Sequence, residues 1–404
     1  MELLTGATEF ARLVAGRLDP DSPLRLVDVG CSGGIDEPFR AFGERLSAWG
    51  FDIDGGECAR LQAAETFPKV RYIAGRVGLP EGHPFLVARA AGSRTSGNPW
   101  DRLSVAATQR YRQAGMASGP AAALPELVEL GSFFVAEGIR DLDFLKIDVD
   151  GEDFAILSGL EGKLATLGVL GVGIEVNFYG TDNPTDHTLH NVDRFMRQQG
   201  YDLFGLSVRH YSAAALPARY AFESLPAQGR FGRPLQGDAL TMRDLSAPTQ
   251  RLAAAVMTPA KLAKAAAIFS LADLPDCAAE VLITFRDRLA PLMDVDAALD
   301  LLTEAAREDG MPTRYRDYLA AFAADAACFY QRPRQPESPA PSAECPRRVT
   351  EEAPDPGAAI EALKAENAAL RQDLDAMRAS RSWRITALLC RARDAVRLAS
   401  KPRR

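Results

Sequence analysis

The run Asp143-Phe144-Leu145-Lys146-Ile147-Asp148-Val149-Asp150-Gly151-Glu152-Asp153 places four acids within six residues at the end of an apolar segment. Like charges this close are unfavourable unless a cation, a metal or a proton relieves them. Lys146 is one internal partner. If 146–149 is extended, Lys146 and Asp148 share one face of a sheet while Ile147 and Val149 take the other. Glu175 and Asn177 end the next apolar run, again on a common face. His187 and His190, three apart, would share a helix face if that stretch is helical. Asp148, Asp150, Glu175 and the pair His187 and His190 are thus candidates to accept a proton from a substrate, with Asp148, Glu175 and His187 the leading set. The oxygen-rich group Asp148, Asp150 and Glu175 would also suit a magnesium-like ion, and the sequence leaves that alternative open.

A second constellation lies upstream. Val27-Asp28-Val29-Gly30-Cys31-Ser32-Gly33-Gly34 ends an apolar run in small residues, which lets the backbone approach a nucleotide-like ligand closely. The dinucleotide pattern GxGxxG is not met. Asp28 beside such a turn suits a cationic amino-acid group better than a pyrophosphate, which a carboxylate would repel. Asp52 and Asp54 follow at the end of the next apolar run, where a carboxylate accepts hydrogen bonds from the hydroxyls of a ribose.

These groups need a scaffold that gathers strand ends. Leu24–Val29, Trp49–Ile53, Val70–Ile73, Asp143–Val149 and Val169–Val176 read as strands, with Glu37–Leu46 and Phe154–Leu164 as helices between them. Phe204–Val208 and Ala239–Met242 would be edge strands. Alternation of this kind predicts an α/β fold, a doubly wound and mostly parallel sheet. From Ser246 to Tyr330 the pattern becomes Ala-rich and helical, with N-caps expected at Ser246, Thr258 and Thr313. Residues 331–356 are rich in Pro, Ser and charge and read as a linker. Ile360, Leu363, Asn367, Leu370, Leu374 and Met377 then fall at a and d positions of a short coiled coil over 357–379. The expected division is therefore 1–245, 246–330, 331–356, 357–379 and a basic tail, 380–404.

DFLKIDVDGEDFAILSG resembles the signature of the FkbM-type methyltransferases, and VDVGCSGG followed by GFDID sits where that family has its glycine loop and ribose acid. IEVNFYG and RFMRQQGYDLF are similar to its continuation, so the resemblance spans about residues 24–245. It implies a Rossmann-like class I fold and S-adenosylmethionine as cofactor. Asp28, Gly30, Ser32 and Gly34 would surround its methionine part and Asp52 its ribose, with Ser32 standing where the general pattern has a glycine. The implied activity is O-methylation of a hydroxyl on a sugar or glycan precursor. Two other readings are a non-catalytic scaffold for surface-glycan enzymes and an NAD-dependent sugar oxidoreductase, the latter disfavoured by the missing GxGxxG.

With net charge −7, the body disfavours nucleic acid, and six cysteines without CxxC spacing suit a reducing cytoplasm. No apolar run approaches the roughly 18–20 residues that span a bilayer. Residues 378–404 nevertheless carry net +8 and leave −15 on the remainder. Ile385, Leu388, Leu389, Ala392, Val396 and Ala399 would share one helix face edged by arginines, as in helices that lie on anionic membranes. Asn367 at an a position favours a parallel pair, so the expectation is a homodimer held peripherally on the inner membrane face by two tails. Truncation after Pro356 should abolish binding to anionic liposomes and reduce self-association while sparing the catalytic domain. A full-length protein that sediments as a monomer and ignores such liposomes at low salt would overturn this.

Overall fold

The computed structural model describes residues 3–4, 6, 8–92, 125–149, 151–211, 232–307 and 311–329. All lie in the first of two compact units, Met1–Tyr330. The linker, coiled coil and tail expected beyond 330, and Asp150, lie outside the described residues. Among the described residues no helix is long and apolar enough to cross a membrane.

The chain opens with α1 (Glu9–Arg17) and β1 (Leu24–Val29), then a 3-10 stretch, Glu37–Arg45. There follow β2 (Leu46–Asp52), α2 (Gly55–Ala64), β3 (Val70–Ala74), β4 (Arg76–Val77), α3 (Pro84–Ala91), β5 (Leu127–Val128) and α4 (Leu130–Ala136). Next come β6 (Phe144–Ile147), α5 (Asp153–Ser158), α6 (Lys163–Thr166), β7 (Gly171–Asn177), α7 (Leu189–Gln198), β8 (Asp202–Leu206), β9 (Arg209–Tyr211) and β10 (Arg233–Met242). Helices α8 (Arg251–Ala255), α9 (Pro259–Leu271), α10 (Pro275–Thr284), α11 (Arg286–Leu289), α12 (Val295–Ala306) and α13 (Tyr315–Ala324) complete the unit.

The main sheet runs β3-β2-β1-β6-β7-β10-β8, with β9 beside β10 and a separate β4–β5 pair. β1, β2, β3, β6 and β7 pair in parallel, and β10 runs antiparallel to β7, β8 and β9. This is a Rossmann-like arrangement. The strand order reverses between β1 and β6, and ligands bind such sheets in the crevice beyond the carboxyl ends at that point.

Strand periodicity divides the core. Leu24, Leu26, Phe144, Leu240 and Met242 face α1, α9, α10 and α12. Val27, Val29, Leu145, Ile147, Val172 and Ile174 face α4, α5 and α7. The helices after Ser246 therefore share a core with one sheet face. An ionic anchor fixes them there. Asp143, fully buried just before β6, receives Lys261 Nζ at 2.6 Å, Lys264 Nζ at 2.9 Å and the Arg25 amide at 2.8 Å.

The elements differ in places from the sequence expectation. The helix expected over 154–164 is two short ones, because Gly162 takes a left-handed φ of 72° ahead of α6. Glu37–Arg45 winds as a 3-10 run interrupted at Gly43, and β2 begins three residues earlier than expected. β10 is ten residues long where only Ala239–Met242 read as strand, since Pro234 and Gly237 mask its first half. Thr258 caps α9 through its side chain. Thr313 does not cap α13; the Tyr315 amide bonds Asp300 Oδ1 at 2.8 Å instead.

Removing the anchor's acid leaves two ammonium groups without their buried counter-charge, a loss of about 3–5 kcal/mol. Asp143→Ala should show it as a lower urea midpoint with an unchanged slope. A shift no larger than that of a surface substitution would mean that the helices do not depend on this anchor.

Candidate active site

At the switch point the first turn presses against β6. Gly30 has φ 87°, and a Cβ there would stand 1.8 Å from the Asp148 carbonyl oxygen, so only glycine fits. The amides of Gly30 and Cys31 both donate to the Phe51 carbonyl, at 2.8 and 3.0 Å, which ties the turn to β2. A cavity of about 540 Å³ opens beyond these ends, lined by Gly30, Ser32, Asp52, Leu86, Arg89 and Asp148 among others. Of the residues expected at a cofactor, Gly30, Ser32 and Asp52 line it. Asp28 and Gly34 do not. Gly34 backs onto Tyr72 and Leu61. Asp28 is fully buried beside Lys146, whose Nζ lies 3.3 Å from Asp28 and 3.7 Å from Asp36. Burial pushes the Asp28 carboxyl up to about 6 against the opposing pull of Lys146. Burial works against the Lys146 charge too, but Asp28, Asp36 and Asp148 outweigh it and hold the ammonium charged.

Asp52 and Asp54 separate cleanly. Asp54 caps α2, accepting from the amides of Gly56 at 2.8 Å and Glu57 at 3.1 Å. Asp52 Oδ1 takes the Asp54 amide at 2.8 Å, and the residue faces the cavity.

Beyond β6 the acids gather around an arginine that sequence reasoning missed. Arg209 Nη1 donates to Glu175 Oε2 at 2.9 Å and Nη2 to Asp238 Oδ1 at 2.8 Å, with all three residues buried. Among the described residues Glu175 Oε1 has no hydrogen-bond partner. Burial, with Asp153 and Asp148 nearby, raises the Glu175 carboxyl well above the usual carboxylate range although Arg209 opposes it. Asp148 is half-buried at the cavity, and burial, Asp238 and Asp153 push its carboxyl up to about 6 against Lys146 and Arg209. Asp153 accepts from the Val149 and Gly151 amides, both at 2.9 Å.

The two histidines do not share a helix face. α7 begins at Leu189 with Thr188 as its cap, so His187 precedes it, and His190 is exposed beside Thr188. His187 Nε2 donates to the Glu175 carbonyl at 2.7 Å, and its Nδ1 lies 3.6 Å from Asp153. Asp148 and Glu175 are thus brought together, with His187 attached behind Glu175. Among the described residues no three His, Cys, Asp or Glu side chains are placed to hold a metal ion, and Arg209 occupies the flank of Glu175 where a cation would sit. The available signal for Arg209 was indirect: Asp238 is an acid within an apolar strand and needs a cation.

Residues 101–203 match the family described as Methyltransferase FkbM domain. Over these residues the chain is similar to FkbM methyltransferase domains. The match contains β6, its acidic loop, α5, β7 and α7. No curated protein matches the chain. Solved structures that align with it include a TehB-like SAM-dependent methyltransferase from Corynebacterium glutamicum, 13% identical over 58% of this chain and 88% of that one, with TM-score 0.24. Another is a putative S-adenosylmethionine-dependent methyltransferase from Listeria monocytogenes, 10% identical over 57% and 94%, with TM-score 0.28. Scores of this size add nothing to the strand order, on which the fold assignment rests. The FkbM domain makes S-adenosylmethionine the cofactor. The cavity suits it: a side-chain-free turn at Gly30 admits close approach, and Asp52 offers a carboxylate for a ribose diol.

Asp52→Ala should weaken S-adenosylmethionine binding by about 1–3 kcal/mol, the scale of hydrogen bonds to a charged group. Asp54→Ala should instead cost about 1 kcal/mol of stability through the lost cap and leave affinity nearly unchanged. Calorimetry and thermal melting on both variants check the assignment, and the opposite ranking would transfer the ribose role to Asp54.

Proposed function

We propose that this FkbM methyltransferase transfers a methyl group to a hydroxyl of a sugar or glycan precursor, with Asp148 taking the hydroxyl proton. The observation that carries the reading is Asp148 itself, a half-buried carboxyl on the cavity wall whose affinity for a proton is raised to about 6. A group titrating near the working pH is ionised enough to accept a proton and basic enough to hold it. S-adenosylmethionine supplies a sulfonium-bound methyl that needs no further activation.

The chain's own contribution is placement. Gly30 and Ser32 leave room at the turn, Asp52 fixes the ribose end, and Asp148 stands at the mouth of the strands where an acceptor oxygen can lie in line with the methyl. With the cofactor bound, the carbon–sulfur bond would break as the acceptor oxygen takes the methyl, the sulfur leaving as the neutral thioether of S-adenosylhomocysteine, and the Asp148 carboxylate would receive the acceptor's proton. His187 is engaged with the Glu175 carbonyl, so we place it behind the acids as a support and not as the base. The basic tail would bring the enzyme to the membrane surface where lipid-linked glycans are built.

Asp148→Asn should bind S-adenosylmethionine like wild type yet fail to restore methylated glycans to a strain lacking the gene, as read by mass spectrometry. In the wild-type enzyme, protonating Asp148 removes the proton acceptor, so the rate should fall about tenfold per unit as pH drops below about 6. A profile flat through that region, or an active Asp148→Asn enzyme, would overturn the assignment.

A further inference from the structure

The strand register sets three acids abreast. Val29 pairs with Ile147, and Ile147 with Ile174. One step further along the strands stand Gly30, Asp148 and Glu175, and Glu175 pairs with Asp238 on β10. Neighbouring strands are about 4.8 Å apart, so this row holds carboxyl groups at close range with glycine as its open end. Glu175 and Asp238 are almost wholly buried.

Arg209 reaches this row from β9, a three-residue strand whose pairing with β10 shifts register between Pro234 and Gln236. Its two terminal nitrogens divide between Glu175 Oε2 and Asp238 Oδ1, at 2.9 and 2.8 Å. A planar fork holds both acids in one orientation, which a lysine ammonium would not do. Among the described residues, the other groups facing Asp148 are Lys146 on its own strand and Asp153 on α5, with His187 behind Asp153. Lys146 is itself engaged with Asp28 and Asp36. Among the described residues, on the side of β7 and β10, Arg209 is a counter-charge that Glu175 and Asp238 share.

We propose that Arg209 is a positioning residue for methyl transfer: its fork fixes Glu175 and Asp238 beside Asp148 and keeps the Asp148 carboxylate available as proton acceptor. The proposal rests on the reading of Asp148 as the base. Remove the guanidinium, and the row lowers its repulsion by taking up a proton. Remove Asp238, and the repulsion on Asp148 falls.

The test needs no known acceptor. S-adenosylmethionine brings positive charge toward Asp148, so its binding should expel a proton from that carboxyl in mildly acidic solution. Calorimetry of the full-length protein in two buffers of different ionisation enthalpy counts those protons across pH. Wild type should show a release window that is absent in Asp148→Asn. Arg209→Met should move the window up by about one pH unit and Asp238→Asn should move it down, the scale of one nearby charge. Arg209→Lys should fall between wild type and Arg209→Met, since it keeps the charge and loses the fork. Opposite displacements are not produced by a general loosening of the fold. Should Arg209→Met not fold, the Asp238→Asn and Arg209→Lys displacements decide. Windows that stay in place, or move in the same direction, overturn the role of Arg209 alone. A release that survives in Asp148→Asn overturns the base assignment, and this proposal with it.

Discussion

The Asp148 carbonyl oxygen occupies the place where a side chain on residue 30 would begin, 1.8 Å from that position. Much of the site follows from this contact. It requires glycine at the end of β1, and it brings the carboxyl ends of β1 and β6 together where the chain leaves the two strands for different partners. The turn after β1 is pulled toward β2 by the Phe51 carbonyl, and the loop after β6 is folded down by Asp153. The crevice left between them is the cavity in which Ser32, Asp52 and Asp148 meet. A methyl-transfer site of this kind needs little covalent chemistry from the protein, so its main demand is placement. That demand is met by backbone contacts before any catalytic side chain is considered.

Buried charge is distributed along the sheet with a consistent sense. At the amino ends, one carboxylate, Asp143, is matched by two ammonium groups and an amide, and the arrangement is saturated. At the carboxyl ends the ratio is inverted. Lys146 lies between Asp28 and Asp36, and Arg209 between Glu175 and Asp238. Buried ion pairs are weak sources of net stability, because desolvation offsets most of the attraction. The amino-end anchor nonetheless has a clear structural role, since it fixes α9 to the sheet. Among the described residues, the carboxyl-end groups leave oxygens without hydrogen-bond donors on Asp28, Glu175 and Asn177. Among the described residues acceptors outnumber cations there, an arrangement suited to a ligand that brings positive charge, as a sulfonium cofactor does.

What the sequence made legible were features with local causes. Leu24–Val29 alternates, ends in small residues and emerges as β1 with the same bounds. The acids after β6 and the acid at Asp52 were visible because they interrupt apolar runs at strand ends. What stayed hidden depended on distant partners. Asp54 looked equivalent to Asp52 until the helix it caps was present. The three-residue spacing of His187 and His190 carried no geometric meaning, because Thr188 starts the helix between them. Arg209 lies 34 residues from Glu175 and 29 from Asp238, on a strand too short to show periodicity. Only an antiparallel β10, with its first half disguised by Pro234 and Gly237, brings the three together.

The acidic run that first suggested chemistry is not a single cluster. Asp148 faces the cavity. Glu152 occupies the cap position of α5 without capping it through its side chain, and its carboxylate instead meets Arg89 of α3 at 2.8 Å. Both of those residues line the cavity, so the pair links the wall contributed by α3 to the loop that carries Asp148. Asp153 turns the opposite way, tying the amides of Val149 and Gly151 and approaching His187, which holds the Glu175 carbonyl. The three described acids thus point in three directions, Asp148 into the cavity, Glu152 to Arg89 and Asp153 to the backbone amides. Their close spacing in sequence lets one short stretch connect the cavity wall at Arg89 to His187 and the Glu175 carbonyl.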